Sequence, residues 1–263
     1  MAAKIVTLTT DFGLRDPYAA EMKAAILSIS PHAVIVDVTH EVASFNVRMG
    51  AFVLASAAPH FPEGTVHVVV VDPKVGTNRR PVIVQTQHGF FVGPDNGVLV
   101  LAAEAQGIKH VFEITSRQLM LPHVSSTFHG RDIFAPTVAH LINGVPPEEF
   151  GPEISYLEKP AFAKVTKEKD AVHGEVLHVD GFGNIITNLH VKDVEHFRGG
   201  MVQVKLPQHT VELRLAETYA EAKLNQPIGL IGSHNYLEIA LNQGNASTEY
   251  HAVPGDKIKL SPA

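Results

Sequence analysis

The sequence predicts an α/β protein in two parts, a layered amino-terminal sheet domain and an all-β carboxyl-terminal domain. Three observations carry that prediction. The first half alternates short β-branched runs with longer stretches at helical spacing, residues 148–160 turn rich in Pro and Glu, and the remainder holds seven short strands separated by turns. At 263 residues and 45% apolar, the chain is long enough for one large domain or two ordinary ones.

Ile5 to Thr9 reads as the first strand and ends in Thr10-Asp11-Phe12-Gly13. From about Tyr18 to Ser28, the residues Ala19, Met22, Ile26 and Ile29 recur at helical spacing until Pro31 stops the helix. Val34 to Val38 is the second strand. Asn46 caps an Ala-rich, apolar helix from Val47 to Ala58, which Pro59 and Pro62 end. Val66 to Val71 has His67 as its single polar side chain, so it belongs in the centre of the sheet with both faces covered. Val82 to Thr86 and Phe90 to Val92 flank Gln87-His88-Gly89 as a hairpin, and Pro94-Asp95-Asn96-Gly97 turns into a helix from Val98 to Ala105. A strand around Val111 to Ile114 follows. The polar stretch Ser125 to Asp132 then opens a helix running to Asn143.

Beyond the Pro- and Glu-rich segment the strands are Gly174 to Val179, Ile185 to Thr187, Met201 to Lys205, Val211 to Leu215, Ile228 to Ile231, Tyr236 to Ala240 and Lys257 to Leu260. That spacing suits a small barrel or sandwich. The expected boundaries are 1–150 for the sheet domain, 151–168 for a linker and 169–263 for the second domain.

Composition excludes several functions. Twenty-seven acidic against twenty-one basic residues give a formal charge of −6 without a Lys/Arg block, so nucleic acid is not an expected partner. The absence of cysteine removes thiol nucleophiles, disulfides, iron–sulfur clusters and thiolate zinc sites. The sixteen histidines are scattered, with no i, i+4 pair around a Glu of the kind a helical zinc site shows. No apolar run approaches the roughly 20 residues of a membrane span, and Met1 to Lys4 lead into Ile5-Val6 without the regions of a leader. The expectation is a cytoplasmic protein with no membrane partner.

In open α/β sheets ligands bind beyond the carboxyl ends of the strands, so polar residues there carry the most information. Three clusters occupy such places: Thr9 to Gly13, Asp72 to Arg80, and Thr127 to Asp132 at a helix start. A fourth, Asp180-Gly181-Phe182-Gly183-Asn184, lies in the second domain. Each has a structural alternative. Asp11 suits a turn cap, Asp72 before Pro73 a turn start, Arg79 and Arg80 solvated charges, His129 a backbone contact, and Asp180-Gly181 an ordinary turn. A carboxylate–histidine metal centre of Asp11, Asp72 and His129 also stays open at this point. Four such clusters, in a fold whose topology already predicts a site at the strand ends, favour the functional reading.

The motifs resemble those of the S-adenosylmethionine hydrolase (adenosine-forming) family, the S-adenosyl-L-methionine hydroxide adenosyltransferases, relatives of enzymes that fluorinate or chlorinate the same substrate. The marks are Leu8 to Gly13; Val70 to Pro73 with Val75-Gly76-Thr77 and Arg79-Arg80; Gly93 to Gly97; Ser126 to Asp132; Phe182-Gly183-Asn184 with Thr187-Asn188; and Gly232-Ser233 with Tyr236-Leu237-Glu238. They span nearly the whole chain.

The resemblance implies an α/β domain with Rossmann-like layers, a carboxyl-terminal β-barrel, and a homotrimer with sites between the amino domain of one subunit and the carboxyl domain of the next. It implies hydrolysis of S-adenosyl-L-methionine to adenosine and L-methionine, without metal or cofactor, by water activated at Asp72, Arg79 and His129. Substrate contacts are expected from Asp11 on the ribose hydroxyls, from Asp16 and Tyr18 on the following loop, and from Phe128 against the nucleoside. In the second domain they are expected from Asp180 to the methionine ammonium, Asn184 to adenine, Ser233 to the methionine carboxylate, and Glu238. The chemistry suits these types: sulfonium departure needs no acid, whereas water needs alignment and a base. Two departures stand out. Lys74 replaces a common glycine, and Gly130 stands where the halogenating relatives carry a serine that helps hold halide, those relatives also carrying tyrosines at the Asp72 and His129 positions. The alternatives are a module that binds or senses adenosine or S-adenosylmethionine, and a halide-using 5′-halo-5′-deoxyadenosine synthase.

Overall fold

The computed structural model describes residues 4–263; Met1 to Ala3, on which part of the leader reading rests, lie outside it. The chain divides into two compact units, Met1–Lys159 and Pro160–Ala263. Of the expected linker, Glu158 donates its backbone N–H to Asp95 Oδ1 at 2.7 Å and Lys159 pairs with Glu104 at 2.8 Å, both within the first unit. Thr166–Lys167 form a two-residue strand in the second.

The first unit is a six-stranded sheet. Strands β1 (Ile5–Thr10), β2 (Val34–Thr39), β3 (Val66–Val70), β4 (Pro81–Thr86), β5 (Phe90–Pro94) and β6 (Ile108–Glu113) lie in the order β2-β1-β3-β5-β4-β6. The pairs β1–β2, β1–β3 and β3–β5 are parallel, while β4 pairs antiparallel with β5 and β6. All five residues of β3 are buried, as its apolar run requires. Alternation along β1 and β3 sends Val6, Leu8, Val66, Val68 and Val70 into one core, and places Thr7 and His67 on the opposite face, where they hydrogen-bond at 2.8 Å.

Four helices cover the sheet: α1 (Tyr18–Ile29), α2 (Val47–Ala57), α3 (Val100–Ala105) and α4 (Ala135–Ile142). Helix α1 packs on α4, and α2 packs on α3. Asn46 caps α2 as expected, accepting the Met49 N–H at 3.0 Å. The helix expected from Ser125 begins later, as a π-helical turn over Gly130–Phe134 running into α4.

In the second unit, β7 (Thr166–Lys167) pairs on β8 (Val172–Val179), and the ring continues through β9 (Ile185–His190), β13 (Tyr236–Leu241), β12 (Pro227–Ile231), β11 (Thr210–Ala216), β10 (Met201–Lys205) and β14 (Lys257–Pro262). Pairing of Lys257–Leu260 with Val172–Glu175 closes seven strands into a barrel. Closure leaves no free edge in the ring, which decides between barrel and sandwich. Val176, Ile185, Val204, Leu213, Leu237, Ile239 and Leu260 fill the interior.

Candidate active site

The carboxyl ends of β1 and β3 open onto a cavity of about 250 Å³ in the first unit. Asp11, Tyr18, Asp72, Phe128 and His129 line it together with Phe12, Ser44, Phe45, Val75 and Thr127. Sequence reasoning therefore placed three clusters at one cavity. Asp16 is exposed in the turn ahead of α1 and is not among the lining residues.

Arg79 stands behind the wall and joins two of its members. Its Nε and Nη2 both reach Asp72 Oδ2, at 2.8 and 2.5 Å, and Nη2 also reaches His129 Nδ1 at 2.7 Å. The guanidinium sits 5.4 Å from the centre of the buried Phe134 ring. The Asp72 and Arg79 side chains are each 4% exposed, and among the described residues Asp72 Oδ1 and Arg79 Nη1 are buried without a hydrogen-bond partner. A guanidinium has no acceptor, so His129 Nδ1 must accept; the neutral ring then carries its proton on Nε2. Burial and the neighbouring Arg79 push the His129 pKa down, against the opposing pull of Asp72 and Asp132.

The loop from Asp72 to Arg80 has its shape from one residue. Gly76 has φ +75° and lies so close to the Ser126 carbonyl oxygen that any Cβ would overlap it. Lys74 is exposed and keeps an ordinary negative φ, so its place in a usually glycine position strains nothing. Asn96, from the Gly93 to Gly97 motif, donates to the Val71 carbonyl at 2.9 Å and so braces the end of β3 beside Asp72. Arg80 serves the fold: it pairs with Asp95 and lies 4.4 Å from the Tyr156 ring centre.

Asp11 faces the same cavity. Its Oδ2 accepts the Phe45 N–H at 2.7 Å, and burial raises its pKa, with that hydrogen bond opposing and Asp72 adding to the rise. Phe45 was missed in the sequence, where an aromatic just before a helix cap reads as a hydrophobic staple. It has φ +64° and is 69% exposed, a backbone state that a bulky residue rarely adopts. Across the cavity Phe12, Tyr18 and Phe128 meet edge to face, with centroids 5.3–5.8 Å apart. Two carboxylates, aromatic walls and no lining Lys or Arg suit a cation bearing a flat ring. Among the described residues no group of three or more His, Asp or Glu could hold a metal ion.

The barrel residues are placed as follows. Asp180 Oδ1 accepts the backbone N–H groups of Phe182 and Asn184, each at 2.9 Å, and Oδ2 accepts Asn184 Nδ2 at 3.0 Å. Three donors thus already hold Asp180, and Asn184 has its amide oxygen left to offer. The turn they build leaves Phe182 81% exposed. Ser233 lines a cavity of about 160 Å³ with Arg198, Glu217 and Asn235. Glu238 is buried, accepts the Tyr219 hydroxyl, and lies 3.7 Å from His234 Nε2.

The chain is similar to known proteins over most of its length. Residues 6–151 match the SAM hydroxide adenosyltransferase N-terminal domain and residues 174–259 the corresponding C-terminal domain. A protein of Methanocaldococcus jannaschii named (R)-S-adenosyl-L-methionine hydrolase is 37% identical over 97% of this chain and 95% of its own. One of the same name from Thermus thermophilus is 37% identical over 97% and 98%, and a fluorinase of an Actinoplanes species 29% identical over 98% of each. A solved structure of an uncharacterized conserved protein from Thermotoga maritima superposes with a TM-score of 0.86 at 38% identity, covering 98% of this chain and 99% of that one.

Proposed function

The chain belongs to the SAM hydroxide adenosyltransferase family, and on that premise we propose that its first-unit cavity hydrolyses S-adenosyl-L-methionine to adenosine and L-methionine. The observation that carries this reading is the linked set of Asp72, Arg79 and His129, whose Asp72 and His129 line a cavity of acids and aromatics.

Water donates one hydrogen to Asp72 Oδ1 and accepts the His129 Nε2–H. Its lone pair attacks C5′ of the ribose in line with the C5′–S bond. The C–O bond forms as the C–S bond breaks, the sulfonium leaves as the neutral thioether of methionine, and the water proton passes to Asp72. Arg79 binds the Asp72 carboxylate and holds His129 in the required tautomer. Asp72 is then the base and His129 a donor. Asp11 takes the ribose hydroxyls, while Phe45, Phe128 and Tyr18 enclose the nucleoside. Alignment can supply about 7–11 kcal/mol and a positioned base about 10²–10⁴-fold, so alignment dominates. No metal or cofactor enters this scheme.

In the barrel, Ser233 and Arg198 suit the methionine carboxylate, Asn184 Oδ1 and the Phe182 ring suit adenine, and Glu238 supports that wall through Tyr219. Asp180 orders the turn and contacts the ammonium from its remaining lone pairs. We further propose a cytoplasmic homotrimer. The exposed apolar rim of Leu14, Tyr18 and Phe45 supports the assembly, and among the described residues no helix is long and apolar enough to cross a membrane.

The test is to incubate metal-free protein with each sulfonium epimer and follow adenosine by chromatography. The (R) epimer is the expected better substrate, as the names of the relatives specify. No adenosine from either epimer would overturn the reading, tight binding without turnover would favour a sensor, and 5′-halo-5′-deoxyadenosine on adding halide would favour the synthase.

A further inference from the structure

We propose that Asp132, Arg131 and Glu21 form a positioning relay that fixes His129, acting through that ring rather than on the substrate; the inference rests on the hydrolase reading above. Asp132 is the anchor, with a side chain 1% exposed. Its Oδ2 accepts the Ser125 N–H at 2.8 Å, its Oδ1 accepts Arg131 Nε at 2.7 Å, and its own N–H donates to the Phe128 carbonyl at 3.1 Å. Ser125 Oγ accepts the Phe128 N–H at 3.0 Å. These bonds close residues 125–132 into a ring of chain that includes His129, and so fix the backbone from which the imidazole reaches Arg79.

Arg131 carries the restraint outward. Its Nη1 reaches Glu21 on α1 at 2.7 Å, and its guanidinium lies 4.9 Å from the Phe128 ring centre. The same helix begins with Tyr18, which packs on Phe128. One ion-paired guanidinium thus ties the imidazole segment to the aromatic wall opposite Asp11. The π turn that starts just after His129 is the geometry this requires: its wider turn lets Asp132 face back to Ser125 while His129 faces Arg79. The charged groups acting on His129 are Arg79 and Asp72 from the loop after β3, and Asp132 from its own turn. Asp132 opposes Arg79, so it also tempers how far the ring's protonation is suppressed.

Full-length Asp132→Asn and Glu21→Gln proteins test the relay. With S-adenosylmethionine, Asp132→Asn is expected to lower kcat about 10–100-fold with KM within about twofold, and to cause no further loss in a His129→Ala background. Nitrogen-15 NMR of the His129 ring should show the Nε2–H tautomer in the wild type and a lower titration midpoint in Asp132→Asn. If Asp132→Asn does not fold, Glu21→Gln carries the same cycle with an expected fall of about 3–10-fold. An equal loss in both backgrounds, a raised KM with kcat intact, or an unmoved His129 titration overturns the relay. A wild type that makes no adenosine defeats the hydrolase reading, while the His129 titration still decides the relay.

Discussion

Gly76 passes so close to the carbonyl oxygen of Ser126 that a Cβ there would overlap it, so the loop carrying Arg79 packs directly on the segment carrying His129. A Cβ at Gly76 meets that oxygen and must also accept φ +75°. Gly76→Ala is expected to lose about 1–3 kcal/mol of stability in urea unfolding and about 10²-fold in kcat/KM, because displacing Arg79 by an ångström uncouples it from His129.

Replacing Asp72 by Asn separates base from scaffold. The amide keeps one acceptor for Arg79 but cannot take a proton, and it leaves a guanidinium that is 4% exposed without a counter-charge. Steady-state kinetics should show kcat reduced about 10²–10⁴-fold with KM changed by less than about threefold. An unchanged kcat would remove Asp72 from the proton path.

Asp11→Ala should produce the opposite pattern. It removes both the proposed ribose acceptor and the partner of the Phe45 N–H. Each hydrogen bond to a charged group is worth about 1.5–3 kcal/mol, so KM should rise about 10–100-fold with kcat largely kept.

Acid should destabilise the fold through His67. Burial lowers its pKa from 6.5 to about 4. As pH falls below 6.5 the unfolded chain binds the proton first, so stability drains away down to about pH 4, by about 3 kcal/mol at most. Unfolding in urea at pH 7 and pH 4.5 should show this loss in the wild type and its reduction in His67→Gln, which keeps a partner for Thr7 but gives up stacking on Phe91.

Serine at position 130 alone should not convert the product. A Cβ there sits 3.2 Å from Met22 Sδ, 3.2 Å from Phe128 and 3.4 Å from Phe12, so the aromatic triangle must give way by a few tenths of an ångström. Gly130→Ser is expected to cost about 1–3 kcal/mol and some kcat. Adenosine should remain the product in chloride or fluoride, because Asp72 and His129, the proposed water-binding pair, are unchanged; halogenated nucleoside from this single variant would contradict that assignment.

Much of this was legible before any coordinates. The unbroken apolar run of Val66 to Val71 marks a strand covered on both faces, and polar residues just past such a strand mark a ligand edge, which brought Asp11, Asp72 and His129 forward together. The roles within the barrel turns were less legible. Asp180 accepts three hydrogen bonds from its own turn, and nothing in Asp-Gly-Phe-Gly-Asn says whether its carboxylate faces a ligand or that turn. Phe45 escaped because a left-handed backbone leaves no trace in residue type unless the residue is glycine or asparagine.

By itself the sequence determined which residues could form each strand and helix, which chemical groups were present, and where along the chain they stood, since periodicity and side-chain chemistry are local properties. The tertiary structure decided that β14 closes on β8 some eighty positions earlier. It also decided that Arg79 turns Nε and Nη2 to Asp72 Oδ2 and Nη2 to His129 Nδ1, so that one guanidinium joins two segments fifty positions apart. Pairing partners and the lone pair a donor selects depend on atoms brought together from distant segments. Only a packed fold can fix them.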